Sequence, residues 1–254
     1  MKKLYLLAAM ALFALVGNAQ KKVAINTFSG TDITKYAGAE CDVTMNRLVF
    51  NGWNTIALPF AVSEAELNEA LGSDCRLERL VGVDSNGKEL VLNFQDCKST
   101  GIEPNIPYIL YYSGETGMKK LAKVAYLEDG VASLTFKANN NSAVVTMSGT
   151  KKRIEADGLY GVLAKDNSEA KFVSVDDVTG GFAATRCFVT VSTGNQAILK
   201  TNHLAEGEVT AIESVVKKGE NADIYNLSGI KVANKVSGLQ PGIYIVNGKK
   251  VRVK

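Results

Sequence analysis

One histidine, His203, serves the whole 254-residue chain. A serine or cysteine nucleophile would need it as a base. No Gly-x-Ser-x-Gly elbow or cysteine-protease signature accompanies it, so His203 reads as solvent-exposed and without a catalytic partner. Glycoside hydrolysis needs only two carboxylates at a suitable separation in space, but the acids here are scattered and no pair stands out. Asp84-Ser-Asn86-Gly87-Lys-Glu89 has some of the oxygen ligands of a calcium loop. Its spacing and its missing terminal bidentate glutamate fit a hairpin turn better. Asp176-Asp177, ahead of a glycine pair, reads as a solvated loop. No phosphate loop or dinucleotide fingerprint occurs, and no catalytic, metal-binding or cofactor-binding residue is expected.

Two aromatic positions are candidates for ligand contact. Trp53 is the single tryptophan, and its ring could stack on a pyranose. Beside Asn51-Gly52, at the entry to an apolar strand, a packed core ring is the stronger reading. In Tyr111-Tyr112 neighbouring side chains point to opposite faces of a strand, which leaves Tyr112 as the second candidate. The four cysteines, Cys41, Cys75, Cys97 and Cys187, contain no Cys-x-x-Cys spacing, which disfavours zinc. They form one or more disulfides, with three pairings possible for four thiols, or serve as small buried apolar residues.

These residues sit in a chain that reads as exported. Lys2 and Lys3 precede an apolar run from Leu4 to Val16, followed by the small residues Gly17-Asn18-Ala19, so a signal peptide over 1–19 with cleavage before Gln20 is expected. A run of thirteen residues is short of the roughly 20 a membrane span needs, and no cysteine follows for lipid attachment. After cleavage, 27 basic residues against 26 acids leave a net charge of +1. The balance is uneven, with +5 from Ala211 onward and −4 over 20–210, which excludes a nucleic-acid binder with a basic main domain.

The elements that would position these side chains are strands. Apolar and polar residues alternate in Val23–Phe28, Cys41–Asn46, Ala132–Ala138 and Cys187–Val191, the period of half-buried strands. The continuous apolar runs Ala143–Val145 and Ile106–Tyr112 suit strands covered on both faces. Asn86-Gly87, Asp129-Gly130, Asp157-Gly158, Gly180-Gly181 and Asn247-Gly248 supply turns. The fold class is therefore all-β, a sandwich or barrel. One helix is expected at 63–72, where Ser63 and Glu66 form a capping box and Gly72 a stop. The text loses its pattern between Asn195 and Gly219, which sets a boundary near 205 between a β-sandwich module (20–205) and a C-terminal β-unit (206–254). In that unit Lys250, Arg252 and Lys254 share one strand face. With Lys249 they could hold anionic surface groups, although lysines that protect an edge strand from aggregation account for them more simply.

Two sets of residues carry a resemblance. The string Asn51-Gly-Trp53-Asn-Thr-Ile-Ala-Leu-Pro59-Phe60, with Gly101-Ile-Glu-Pro104-Asn-Ile-Pro107-Tyr108-Ile, Gly158-Leu-Tyr160-Gly161 and Ala184-Thr-Arg186-Cys187-Phe188, resembles a module of secreted and surface proteins from Bacteroidetes-type bacteria. That resemblance implies a β-sandwich in extracellular, often adhesin-like proteins. The strings Asp223-Ile-Tyr225-Asn-Leu-Ser-Gly229-Ile-Lys-Val232 and Gly242-Ile-Tyr244-Ile-Val-Asn-Gly248-Lys-Lys-Val-Arg-Val-Lys254 are similar to C-terminal sorting domains of the type IX secretion system. The resemblance implies an immunoglobulin-like unit that engages secretion machinery, with Lys249, Lys250, Arg252 and Lys254 as surface or sorting contacts. This copy is shorter than the family's full domain, and strands completing the chain's own fold are the competing account. Together these readings predict an extracytoplasmic, non-enzymatic protein with an adhesive or structural role. Its partner would be a surface glycan or a host protein, with no membrane span. A glycan-binding accessory protein is the alternative, and it requires an exposed Trp53 or Tyr112. A hydrolase is a third class.

Overall fold

The structure, a computed structural model, describes residues 21–26, 30–86, 89–139, 142–163, 170–175, 181–193, 197–206, 223–226, 229–233, 239, 242–246 and 249–253. The predicted signal segment, Asp176-Asp177 and Lys254 lie outside them. In chain order the elements are β1 (Lys21–Asn26), β2 (Ala39–Val49), β3 (Gly52–Ile56), α1 (Glu64–Leu71), β4 (Arg76–Asn86), β5 (Glu89–Asp96), β6 (Tyr108–Tyr112), β7 (Gly117–Leu127), β8 (Ser133–Lys137), β9 (Val144–Gly149) and β10 (Ile154–Glu155). They continue with β11 (Leu159–Leu163), β12 (Lys171–Val175), β13 (Gly181–Phe182), β14 (Cys187–Val191), β15 (Ile198–Leu204), β16 (Ile224–Tyr225), β17 (Lys231–Ala233), β18 (Gly242–Val246) and β19 (Lys249–Val253). The fold is all-β with one α-helix among the described residues.

The central sheet runs β15-β5-β4-β6-β3 and is antiparallel except for β15, which lies parallel to β5. Both of its faces are covered. All five residues of β3 and four of the five in β6 are buried, as the continuous apolar run Ile106–Tyr112 predicts. On one face Trp53, Leu92, Phe94 and Ile109 meet Val145, Met147, Tyr160 and Val189 of a second five-stranded sheet, β12-β11-β14-β9-β8. On the other face Leu77, Tyr108 and Leu110 meet Val23, Cys41 and Val43 of the sheet β1-β2-β7. Each large apolar side chain so enclosed contributes about 1.5–3 kcal/mol. The sandwich thus has a third layer that the alternation in single strands did not reveal.

Local signals hold where they depend on local physics. Ser63 accepts a hydrogen bond from the Glu66 N–H while the Glu66 carboxylate accepts from the Ser63 N–H, completing the capping box, and the helix ends at Gly72. Lys123 on β7 pairs with Glu66 at 2.6 Å, and Leu67 enters the core. Asn86 pairs with Glu89 across the β4–β5 hairpin, and both carboxylate oxygens of Asp84 accept from amides, those of Asn93 and Asn139. That supports the turn over the calcium loop. In β4 the register shifts between Leu80 and Gly82. A bulge reverses the alternation, so Glu78 and Leu80 before it and Val83 after it all turn toward the second sheet. The loosely patterned stretch expected after Asn195 is instead partly strand: β15 pairs along its whole length with β5.

Beyond residue 222 the described strands form their own sheet, β17-β16-β18-β19, in which β19 is an edge. Register places Lys250 opposite Ile245 and Arg252 opposite Ile243. The edge position is the one in which lysines deter strand addition. Among the described residues no helix is long and apolar enough to cross a membrane.

Candidate functional site

The chemistry-bearing side chains gather where the central sheet curls. Trp53 lies on one edge strand, β3, and His203 on the other, β15. Five flat strands would hold these edges about 19 Å apart, yet the two rings stack with centroids 4.6 Å apart and planes 17° from parallel. The curl brings the inward side chains together. Arg76 places its guanidinium 4.7 Å from the Trp53 ring and 4.9 Å from the Tyr111 ring, and Trp53 and Tyr111 make a tilted pair at 5.3 Å. Glu78, 2% exposed, brings Oε2 to 2.5 Å from His203 Nδ1 and Oε1 to 3.9 Å from Arg76. Thr201 Oγ1 lies 3.3 Å from His203 Nε2.

A hydroxyl, an imidazole and a carboxylate in line have the outline of a nucleophilic triad, but the proton positions are reversed. Thr201 donates its hydroxyl to the Ala170 carbonyl at 2.8 Å. Two oxygens that close need a proton between them, and a carbonyl has none to give. Thr201 Oγ1 is then left to accept at Nε2, which assigns the donor role to Nε2, while Nδ1 is hydrogen-bonded to the Glu78 carboxyl. A triad base must instead present a bare Nε2 to the hydroxyl proton. His203 here is a structural donor. The expectation of an exposed, partnerless histidine is corrected: the ring is mostly buried, stacked and hydrogen-bonded at both nitrogens, because the parallel pairing of β15 carries it inside.

The two aromatic candidates are also interior. Trp53 is 0% and Tyr112 6% exposed, so neither presents the face that the glycan reading assigned to it. The strand is covered on both sides, so Tyr112 is buried and Tyr111, half-buried, packs against the core beside Trp53. Lys119 sits 4.6 Å from the Tyr112 ring. Lys249, Lys250 and Arg252 occupy β19, away from the curled sheet's strands in the pairing order.

The quoted strings converge as well. Thr55 accepts a hydrogen bond from the Cys187 N–H at 2.8 Å and donates to the Cys187 carbonyl at 3.3 Å. The Thr185 carbonyl accepts from the Ala57 N–H and, at 2.8 Å, from buried Arg47, whose second nitrogen reaches the Thr55 carbonyl. Thr185 has φ of 71°, a costly conformation for a β-branched residue, and these bonds hold it. The Asn105 N–H donates to the Leu58 carbonyl, adding the Pro104–Pro107 string. Burial, together with the neighbouring Arg186, pushes Arg47 well below the ordinary range for a guanidinium. These strings weld three sheets together, which is a structural use of their residues.

All four cysteines are free, so the disulfide alternative gives way to the apolar one. Burial raises every thiol, Cys187 and Cys97 to about 12. An acid whose folded value lies above its unfolded value of 9.0 contributes stability that is complete below pH 9 and is lost as pH rises toward 12. Titration with a chromogenic disulfide at pH 8 should therefore find the thiols of the native protein nearly inert and all four reactive after unfolding.

An open cleft lies next to this cluster, where the end of β2, the start of β3, the β10–β13 ribbon and β11 meet. Its volume is ≈ 520 Å³, and Trp53 lines its inner wall. Phe50, Phe182, Arg153 and Arg186 line it too. A Cβ on Gly181 would lie 2.1 Å from the Ile154 carbonyl oxygen, and one on Gly161 3.2 Å from the Phe182 ring. Glycine at both places lets the ribbon close and the ring lie down on β11. Arg186 donates to the Leu48 carbonyl at 2.7 Å and sits 5.8 Å from the Phe50 ring centroid; burial lowers its proton affinity. The sequence reading missed this cleft, which draws on four distant segments. Among the described residues no group of three His, Cys, Asp or Glu side chains is placed to hold a metal ion. No protein-family model, curated protein or solved structure matches this chain.

Proposed function

We propose that this chain is an exported, non-enzymatic protein, secreted or held at the cell surface, with an adhesive or structural role. The observation that carries the non-enzymatic part is the hydrogen-bond geometry at Thr201, His203 and Glu78: the Thr201 hydroxyl is turned to the Ala170 carbonyl, and the single histidine bridges β15 to β4 through Glu78. The export part rests on the Lys2–Ala19 segment and on the sorting-domain-like strings of the tail. The tail's described strands pair only with one another, as a unit recognised apart from the sandwich would.

The test of export is the intact mass of the protein recovered from periplasm, cell surface and medium of its own host. The proposal expects a chain beginning at Gln20, with surface or medium material lacking residues beyond about 210. Full-length protein beginning at Met1 and confined to the cytoplasm would overturn it.

A further inference from the structure

We infer that the cleft beside Trp53 is a binding site for an acidic saccharide, a pyranose unit carrying a carboxylate. The inference rests on the reading of the chain as a binding protein rather than an enzyme. The volume, ≈ 520 Å³, falls in the range of small-molecule sites. Among the described residues its lining includes two guanidiniums, Arg153 and Arg186, and no carboxylate. Neither arginine forms an ion pair among the described residues. Arg153 is exposed and Arg186 half-buried, so the cleft carries positive charge at its mouth and on its wall. A guanidinium's planar fork matches a carboxylate with two parallel hydrogen bonds.

The apolar part of the lining specifies the rest of the ligand. Phe50 is 38% and Leu163 44% exposed, and Phe182, half-buried, also lines the cleft, tilted 42° against Phe188 at 5.7 Å. Flat rings flanking two cations suit the C–H face of a sugar ring with a charged substituent. An extended alkyl carboxylate would need an enclosed apolar channel, and this cleft is open. Exposed aromatic and aliphatic side chains gathered at one concave place mark a binding surface.

The experiment is calorimetric titration of the intact mature chain with tetragalacturonate, and in parallel with the neutral tetramer cellotetraose and with octanoate. The inference expects binding of the acidic tetramer alone, weakened by added salt and at least about tenfold weaker in Arg153→Gln. Arg153 is exposed and makes no ion pair among the described residues, so this variant should keep the native circular dichroism spectrum. Phe182→Ala provides a second variant with the same expected direction. Absence of tetragalacturonate binding, equal binding of cellotetraose, or unchanged affinity in Arg153→Gln would each overturn the site, and binding of octanoate alone would reassign it to apolar acids. Chain length of the tetramer after incubation separates the two proposals: shortened product would sink the non-enzymatic reading and leave the site standing.

Discussion

Replacing Trp53 by alanine is expected to cost about 3–5 kcal/mol, the range for removing a large aromatic from a core that cannot collapse around the loss. The ring is fully buried and touches both edges of the central sheet, stacked on His203, tilted against Tyr111 and covered by Arg76. Its loss would leave Arg76 with only the Tyr111 ring of its two aromatic partners and would remove the contact that closes the curl. Denaturant unfolding followed by circular dichroism should show the midpoint falling sharply, because the loss is a large fraction of the stability of an ordinary domain. In the unaltered protein, emission from this single tryptophan should be blue-shifted and nearly insensitive to iodide. An iodide-accessible ring, or a loss under about 1 kcal/mol in Trp53→Ala, would contradict its place in the core.

The second large effect concerns Glu78 and His203. Removing one partner of a buried polar pair costs about 3–5 kcal/mol, whereas replacing both with apolar residues of similar size is often close to neutral. Glu78→Met and His203→Leu should each destabilise strongly, and the double variant should recover much of the loss. That gives a coupling energy of at least about 1.5 kcal/mol in a double-mutant cycle. His203→Leu also gives up the stack on Trp53, so it should be the worse of the two single changes. Strictly additive losses would mean that the pair does not act as a unit, and the interior role of His203 would fail with it.

How far the sequence could be read follows from which interactions are local. The capping box at Ser63 and Glu66 involves four consecutive residues, and the helix appears where the pattern places it. The β14 strand, Cys187–Val191, matches its alternation residue for residue. β15 was lost because its buried face carries Thr201 and His203, polar residues that erase the period-two signal, and because its partner β5 lies more than a hundred residues away. Glu78 gave no warning either. It sits in an ordinary-looking stretch, Leu77-Glu-Arg-Leu80, and only the bulge before Gly82 and a partner 125 positions distant make it interior. The cleft was hidden for a related reason: Phe50, Arg153, Phe182 and Arg186 belong to segments that meet only when the sheets stack. The strings that carried the family resemblance were legible as strings, and the structure gives them a role in joining layers. The resemblance to exported surface proteins remains the ground of the proposal made above.

The central claim is that the one histidine donates a structural hydrogen bond, so the measurement that tests it most directly is nitrogen NMR of the imidazole at neutral pH. With a single histidine the two ring nitrogens need no competing assignment. The account predicts a hydrogen resident on Nε2, protected from exchange and directed at Thr201, with Nδ1 hydrogen-bonded to the Glu78 carboxyl. A bare Nε2 accepting the Thr201 hydroxyl would contradict it, would give the proton order of a working triad, and would raise the hydrolase from third class to a leading reading.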